Sequence, residues 1–266
     1  MSLRSGLGVV RQELLCSLHR RSVSLENRGS IVSFTFDDFP RSAASAGAAV
    51  LEQFGVRGTY YAAMGLMNSS NELGEQFRRE DLASLVGKGH ELASHTFSHL
   101  SCRSVPLSEF RNDVEKGRRA IESASGADSG NFAYPFGHVS LRAKRTLGPF
   151  LASSRSVIPG LNGPEIDLNL LRANRLYGDL AASRGVEDLI SQNLKQGAWL
   201  IFYTHDVRPD PSAYGCTPAL LEFAVSAALG SGSRILTVQQ AVAEVKLGTV
   251  DAAAEEADIC ALTPAG

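Results

Sequence analysis

The sequence predicts a single α/β domain built around a barrel-like parallel sheet. Short apolar segments rich in β-branched and aromatic residues alternate with helix-like segments from about residue 31 to about residue 246. This alternation is typical of parallel strands joined by crossover helices. No internal repeat divides the chain, and the longest irregular segment, 157–170, resembles a rim loop rather than a linker. We therefore expect the 266 residues to form one domain, with a core at about 30–246 and peripheral extensions at both ends.

The predicted strands are short and differ in hydrophobicity. The segments 31–36 (IVSFTF) and 199–204 (WLIFYT) are the best candidates for buried strands, because nearly every residue is β-branched, aliphatic or aromatic. Weaker strands are predicted at 57–63, 90–94, 131–134, 150–154, 171–176 and 235–236.

The predicted helices lie between these strands. The helix at 42–54 is followed by Gly55, which suits the left-handed position after a helix, and the helix at 80–86 is followed by Gly87. Further helices are predicted at 107–123, 140–147, 186–195, 217–229 and 238–245. The Ala-rich segment 249–266 is predicted to be a loose tail or a docked helix.

Charge and composition exclude several classes of protein. The chain has 26 Lys and Arg against 28 Asp and Glu, so we expect no nucleic-acid partner, which would favour a basic surplus. No run of about 20 apolar residues is present, so we expect no membrane span. The first 27 residues lack the apolar core of a signal peptide. We therefore expect a cytoplasmic protein, with a trimmed secreted form as the alternative. The composition does not indicate whether the protein is a monomer or an oligomer.

Polar residues follow five of the predicted strands. In parallel α/β folds the carboxyl ends of the strands share one edge, where active sites form. Residues distant in sequence can therefore meet there. The five clusters are Asp37-Asp38, His95 with His99, the turn 134–137 (YPFG), Asn174-Arg175 and His205-Asp206.

A divalent metal site is one interpretation of the first two clusters. If residues 95–99 form a helical turn, His95 and His99 face the same side and can bind one ion. A carboxylate from Asp37 or Asp38 would leave an open position, as in catalytic zinc sites. We expect zinc, with cobalt or nickel as alternatives. The competing interpretation is two surface histidines and an Asp38 that caps the helix near Pro40.

Acid–base groups are predicted beside this metal site. Of Asp37 and Asp38, one could bind the metal while the other remains free as a base. His205 follows a very hydrophobic strand, and partial burial would tune its pKa for a general acid. The turn at 134–137 could direct a backbone N–H at a developing oxyanion. The alternatives are a core histidine and an ordinary turn.

In combination these motifs resemble the polysaccharide deacetylase family, carbohydrate esterase family 4. The resemblance covers about residues 30–240 and implies a distorted (β/α) barrel with about seven parallel strands. It also implies removal of N-acetyl groups from an amino-sugar glycan or oligosaccharide by a metal-dependent hydrolase. The residues that carry the resemblance are 35–38 (TFDD), 95–99 (HTFSH), 132–137 (FAYPFG) and the strand before His205.

The resemblance assigns roles to individual residues. Asp38, His95 and His99 would bind the metal, Asp37 would be the general base and His205 the general acid. The backbone N–H of Phe136 would stabilise the oxyanion, and Tyr134 would also contact substrate.

Two departures from the family pattern affect the predicted site. Ala133 stands where the family usually has the arginine that positions the catalytic aspartate, and the usual Asp-Trp motif is absent. We predict that Arg175 replaces that arginine, with Arg172 as the second candidate. Asp206 or Asp179 could orient His205.

Two further functions remain open from the sequence. Hydrolases of cyclic amides, imides or ureides have a related fold and would use the same groups on a closed pocket. A non-catalytic glycan-binding domain is the third possibility, although it would need no paired acid and base. The chain contains no Gly-x-Ser-x-Gly motif and no P-loop.

Overall fold

The computed structural model describes residues 14–26, 28–126 and 130–246. The tail at 249–266 lies outside these residues. Among the described residues, no helix combines the length and apolar character needed to cross a bilayer. The strands are β1 Ser22–Ser24, β2 Ile31–Asp37, β3 Thr59–Ala62, β4 Ser70–Asn71, β5 Gly74–Glu75, β6 Glu91–Ser94, β7 Asn131–Ala133, β8 Ser153–Arg155, β9 Glu165–Asp167, β10 Asn174–Arg175, β11 Trp199–Thr204 and β12 Arg234–Ile235.

The main sheet is parallel and curls into a distorted barrel. Seven strands follow the order β10-β11-β2-β3-β6-β7-β8, and β12 pairs with the first residues of β2. A bridge between Arg155 at the end of β8 and Leu171 brings the last strand to the segment that leads into β10. The predicted barrel with about seven parallel strands is confirmed.

The helices lie between successive strands of the sheet. A π-helical turn at Ala43–Gly47 precedes the first of them, and Thr217 caps the sixth by accepting a hydrogen bond from Leu220 N. The helices are α1 Ala48–Gln53, α2 Arg79–Gly87, α3 Leu107–Ser125, α4 Leu141–Leu147, α5 Ser183–Gln196, α6 Pro218–Gly230 and α7 at 238–246.

The two most hydrophobic strands, β2 and β11, pair with each other and are buried along their whole length. Side chains alternate between the two faces of a strand, so Phe34 and Phe36 pack against the helices while Thr35 and Asp37 face the barrel interior. Both faces of a parallel sheet are covered, which is why these strands contain so many apolar residues. The interior face of β2 thus leads directly to Asp37.

Two small antiparallel pairs supplement the barrel. Strand β1 pairs with β9, which lies within the segment 157–170 that the sequence predicted to be a loop. The N-terminal segment is attached to the domain because Arg21 donates hydrogen bonds to Gly148 O and Leu151 O, at 2.8 Å each. The second pair, β4 with β5, forms a hairpin whose tip borders the pocket described below.

Candidate active site

Asp38, His95 and His99 form a compact cluster at the carboxyl edge of the sheet. One potential ligand atom from each residue lies within 4.8 Å of the other two. Asp38 Oδ1 is 3.4 Å from His99 Nε2 and 3.8 Å from His95 Nε2. Asp38 and His95 are buried and His99 is partly buried. The arrangement could hold one metal ion between two imidazoles and a carboxylate.

The two histidines lie on a loop rather than on the predicted helical turn, so that prediction is wrong. Thr96 and His99 have φ angles of 65° and 54° in the left-handed region, which no helical turn allows. Asp113 of α3 stabilises the loop. Its Oδ2 accepts hydrogen bonds from the N–H groups of Phe97 and Ser98 at 3.0 and 2.9 Å, and its Oδ1 accepts one from Ser98 Oγ.

Close contact between α3 and the loop also requires Gly117. A Cβ atom at this position would lie 2.5 Å from Thr96 O, which is closer than any real contact. Neither Asp113 nor Gly117 was predicted from the sequence. Asp113 lies in the middle of an amphipathic helix, where an aspartate is ordinarily a solvated residue.

Hydrogen bonding orients His95 for metal binding. His95 Nδ1 lies 2.8 Å from Ala133 O, and because a carbonyl can only accept, Nδ1 carries the proton and Nε2 keeps its lone pair. Burial lowers the pKa of His95 to about 3 and that of His99 to about 4. Both imidazoles are therefore neutral, which is the form that binds a metal.

The carboxylate of Asp38 lacks a partner of its own. Its Oδ1 is buried and accepts no hydrogen bond from any residue that the structure describes. Burial, together with the charges of Asp37 and Glu72, raises the pKa of Asp38 to about 8. A divalent cation would supply the missing positive charge, so the three side chains fit a metal site.

Asp37 forms a buried ion pair with Arg155 inside the barrel. Burial raises the pKa of Asp37, but Arg155, His95 and His205 lower it by more, so that the pKa lies below its ordinary value. Asp37 is therefore ionised and can accept a proton. The prediction that Arg175 or Arg172 pairs with Asp37 is wrong.

Small side chains leave the space that Arg155 occupies. Ala93 and Ala133 pack with Tyr61 in the barrel interior. The Arg155 guanidinium lies over the Tyr61 ring at 4.8 Å and over the Tyr203 ring at 5.2 Å. Arg155 immediately follows the predicted strand 150–154, so the rule that identified the other clusters at strand ends could also have identified it.

His205 is oriented by a backbone carbonyl, so the prediction that Asp206 or Asp179 orients it is wrong. His205 Nδ1 lies 3.1 Å from Tyr214 O, which leaves Nε2 to exchange a proton with a substrate. Asp206 instead accepts hydrogen bonds from Ser212, and Asp179 caps a short 3₁₀-helix at Ala181. Burial lowers the pKa of His205, although Asp37 opposes the effect.

The turn at 134–137 brings Phe136 beside the metal cluster. The Phe136 ring contacts the His99 ring with centroids 4.4 Å apart, and its φ of 58° is unusual for a bulky residue. The next residue, Gly137, could not carry a Cβ, which would lie 2.0 Å from Val157 Cγ2. The Tyr134 ring is buried against Phe132, with centroids 5.0 Å apart.

One pocket of about 430 Å³ joins these groups. Phe136 and Tyr214 are its exposed aromatic residues, at 61% and 54% exposure. Arg172 lies outside the pocket. The residues that border it are Asp37, Asp38, Glu72, Leu73, His95, His99, Tyr134, Phe136, Gly137, Val157, Arg175, Tyr177, Tyr203, His205, Ala213 and Tyr214.

Comparisons with known proteins agree with this geometry. Residues 25–148 match the family model described as polysaccharide deacetylase. A bifunctional xylanase/deacetylase from Pseudobutyrivibrio xylanivorans is 28% identical over 110 residues, which are 40% of this chain and 16% of that protein. The chain thus matches only a small part of that relative.

Solved structures show the same fold. A polysaccharide deacetylase from Mycobacterium smegmatis, described as putative, superimposes with a TM-score of 0.63 and 15% identity, over 85% of this chain and 94% of that one. The Xyl-CE4 domain of a multidomain xylanase from the hindgut metagenome of Trinervitermes trinervoides superimposes with a TM-score of 0.57 and 19% identity. That match covers 82% of this chain and 91% of that one.

Proposed function

We propose that this chain, whose residues 25–148 match the polysaccharide deacetylase family model, is a metal-dependent hydrolase that removes N-acetyl groups from an amino-sugar glycan or oligosaccharide. One observation carries the proposal. The Asp38–His95–His99 cluster shares a pocket with the ionised Asp37 and with His205. A base, an acid and a metal site at one pocket are the groups that amide hydrolysis requires.

The ligand set supports zinc, with cobalt or nickel as alternatives. Asp38, His95 and His99 would hold the ion, which when bound lowers the pKa of a bound water and polarises a carbonyl oxygen. The buried Asp38 Oδ1 without a hydrogen-bond donor and the free lone pair of His95 Nε2 support this assignment.

The chain's own residues would carry the proton transfers. Asp37, which Arg155 keeps ionised and in place, would accept the proton of the attacking water. The N–H of Phe136 would donate a hydrogen bond to the developing oxyanion. His205 would act in its protonated form, with Nε2 giving its proton to the leaving amine, and the proton held by Asp37 would then return to His205, so that the products are acetate and a free amino sugar.

The shape of the pocket favours a sugar substrate over a small ring amide. Phe136 and Tyr214 present exposed rings at its rim, and such rings can stack on the apolar faces of sugars. A non-catalytic glycan-binding domain would not need a base and an acid beside a metal cluster in one pocket.

Acetate release from N-acetylglucosamine oligomers of one to six units tests the proposal. The protein is first stripped with a chelator and then loaded with zinc, cobalt or nickel. We expect acetate only from loaded protein, one bound ion per chain, and loss of both in His95→Ala. Ring opening of a cyclic imide without acetate release would favour the alternative hydrolase. Absence of both activities and of metal binding would favour the non-catalytic domain.

A further inference from the structure

Arg175 places a positive charge on the pocket wall without a carboxylate partner. Among the described residues, no acidic side chain lies within ion-pairing distance of its guanidinium. Arg155, by contrast, is buried and paired with Asp37. Arg175 is exposed and borders the pocket, so its charge is available to a bound molecule.

Two tyrosines hold the Arg175 side chain in place. Its Nε donates a hydrogen bond to Tyr203 Oη at 3.4 Å, and its guanidinium lies over the Tyr177 ring at 5.9 Å. These contacts involve Nε and the face of the group. Within the described part of the chain the two terminal nitrogens form no other hydrogen bond, so they can form the planar fork that matches a carboxylate or phosphate.

The negative charge at the rim belongs to a different part of the pocket. Glu72 lies in the hairpin between β4 and β5, and the charge of its carboxylate favours a higher pKa for both Asp38 and His99. Tyr177, Tyr203 and Tyr214 surround Arg175 instead. An anionic group could therefore approach Arg175 without facing Glu72.

The distance from Arg175 to the reacting groups matches the size of a sugar. Arg175 pairs with Tyr203 of β11, and Tyr203 pairs with Thr35 of β2, two residues before Asp37. Two strand spacings and two residue steps place the Cα atoms of Arg175 and Asp37 roughly 12 Å apart. A group bound by Arg175 would then lie on the acetylated sugar or on its neighbour.

We propose that Arg175 binds an acidic group of the substrate, so that the preferred substrate is an N-acetylated amino sugar with a carboxylate or phosphate on the same or the adjacent sugar. This inference rests on the proposed deacetylase function, because it assumes that the pocket binds an N-acetylated sugar. It adds a preference for acidic over neutral glycans, which the near-neutral net charge of the chain does not suggest.

Binding to the metal-free protein, which the proposed function predicts to be inactive, tests the inference independently of turnover. Calorimetry would compare a tetrasaccharide of alternating glucuronic acid and N-acetylglucosamine with the neutral N-acetylglucosamine tetramer. N-acetylglucosamine 6-phosphate and N-acetylglucosamine form the second pair, which separates phosphate from carboxylate recognition. We expect at least one acidic ligand to bind about 10 to 100 times more tightly than its neutral counterpart, the usual range for a charge-assisted hydrogen bond.

Matched variants assign the preference to Arg175. Arg175→Gln should reduce the acidic-to-neutral ratio of affinities to near one, and the ratio of kcat/KM should fall in parallel. Arg184→Gln, which removes an exposed arginine from α5 outside the pocket, should leave both ratios unchanged. Equal binding of acidic and neutral ligands by the wild type, or a preference that survives Arg175→Gln, would overturn the inference.

The two proposals fail in different ways. If the acidic preference appears in binding but no substrate releases acetate, anion recognition by Arg175 stands and the deacetylase function falls. If acetate is released equally from acidic and neutral glycans, the function stands and the role of Arg175 falls.

Discussion

Two buried ion pairs of this barrel differ in their surroundings, because one lies in the candidate active site and the other lies away from it. Asp37 and Arg155 meet in the interior beside the metal cluster, whereas Lys144 of α4 and Asp167 of β9 join at 2.6 Å near the N-terminal segment. Lys144 also donates a hydrogen bond to Leu15 O, and Asp167 Oδ1 accepts hydrogen bonds from Arg21 N and Asn169 N. Both oxygens of Asp167 are therefore satisfied within the protein.

The surroundings of the Asp37 pair are different. Its neighbour Asp38 has a buried oxygen without a donor, and Asp38, Thr96, His99 and Phe136 all have positive φ angles. Unsatisfied buried groups and strained backbone cost free energy, and they persist where a ligand or a reaction uses them. The difference teaches that neither a buried ion pair nor an unsatisfied buried atom identifies a site by itself, because Arg21 Nε and Asn169 Oδ1 beside Asp167 also lack hydrogen-bond partners among the described residues. The potential ligand atoms gathered around Asp38 on strained backbone do identify it.

The largest effect is expected when the ion pair beside the metal cluster is disrupted. Arg155→Gln leaves Asp37 buried without its partner, so we expect kcat/KM to fall by about 10²- to 10⁴-fold, the range for a lost general base. We also expect the free energy of unfolding to fall by about 3–5 kcal/mol. Arg172→Gln is the control, and a comparable loss of activity in that variant would contradict the assignment of Arg155.

Loss of the ion pair between Lys144 and Asp167 should reduce stability without changing activity. Lys144→Met leaves the Asp167 carboxylate buried without its cation, and we expect the free energy of unfolding to fall by about 3–5 kcal/mol. The kcat/KM per folded molecule should not change. Chemical denaturation and acetate release measure the two quantities, with Lys195→Met on α5 as an exposed control. A loss of metal affinity in Lys144→Met would contradict the conclusion that this ion pair contributes only to stability.

A smaller effect is expected from the residue that supports the metal loop. Asp113→Asn replaces a carboxylate that accepts three hydrogen bonds, and one amide nitrogen would then face a donor. We expect metal affinity to fall by about 10- to 100-fold, as for other residues that support metal ligands. Zinc competition titration measures it, and Glu109→Gln at an exposed position of α3 should bind zinc as the wild type does. Unchanged affinity in Asp113→Asn would refute this role.

The smallest expected effect is on the pH dependence of stability. It arises from His90, which lies outside the pocket. Burial lowers the pKa of His90 from its ordinary value of 6.5, although Glu52 raises it. The unfolded chain therefore binds a proton at a higher pH than the folded protein. The stability that neutral His90 contributes is complete above pH 6.5 and is lost as the pH falls toward the lowered pKa.

His90→Asn tests this pH dependence. The asparagine oxygen can still accept the hydrogen bond that Gly58 N donates to His90 Nδ1 at 3.0 Å. We expect the free energy of unfolding of the wild type to fall more steeply below pH 6.5 than that of the variant. Parallel curves from denaturant titrations at several pH values would show that His90 does not contribute.

The sequence by itself determined the strands of the main sheet, the helices between them and the edge of the sheet where the site lies, but not the small antiparallel pairs. Buried parallel strands must be apolar on both faces, so β2 and β11 were recognisable without a structure. Polar residues directly after such strands lie at the carboxyl edge of the sheet, which explains why Asp37, Asp38 and His205 were identified. Their approximate positions follow from local hydrophobicity.

Only the tertiary structure decided which groups hold these residues in place. Arg155 and Asp37 are 118 residues apart, and their contact depends on the space left by Ala93 and Ala133. The carbonyl of Tyr214 orients His205, and a carbonyl belongs to every residue and leaves no trace in a sequence. Hydrogen bonds between distant segments depend on the closed shape of the barrel, whereas strand patterns depend on the chain's own neighbours.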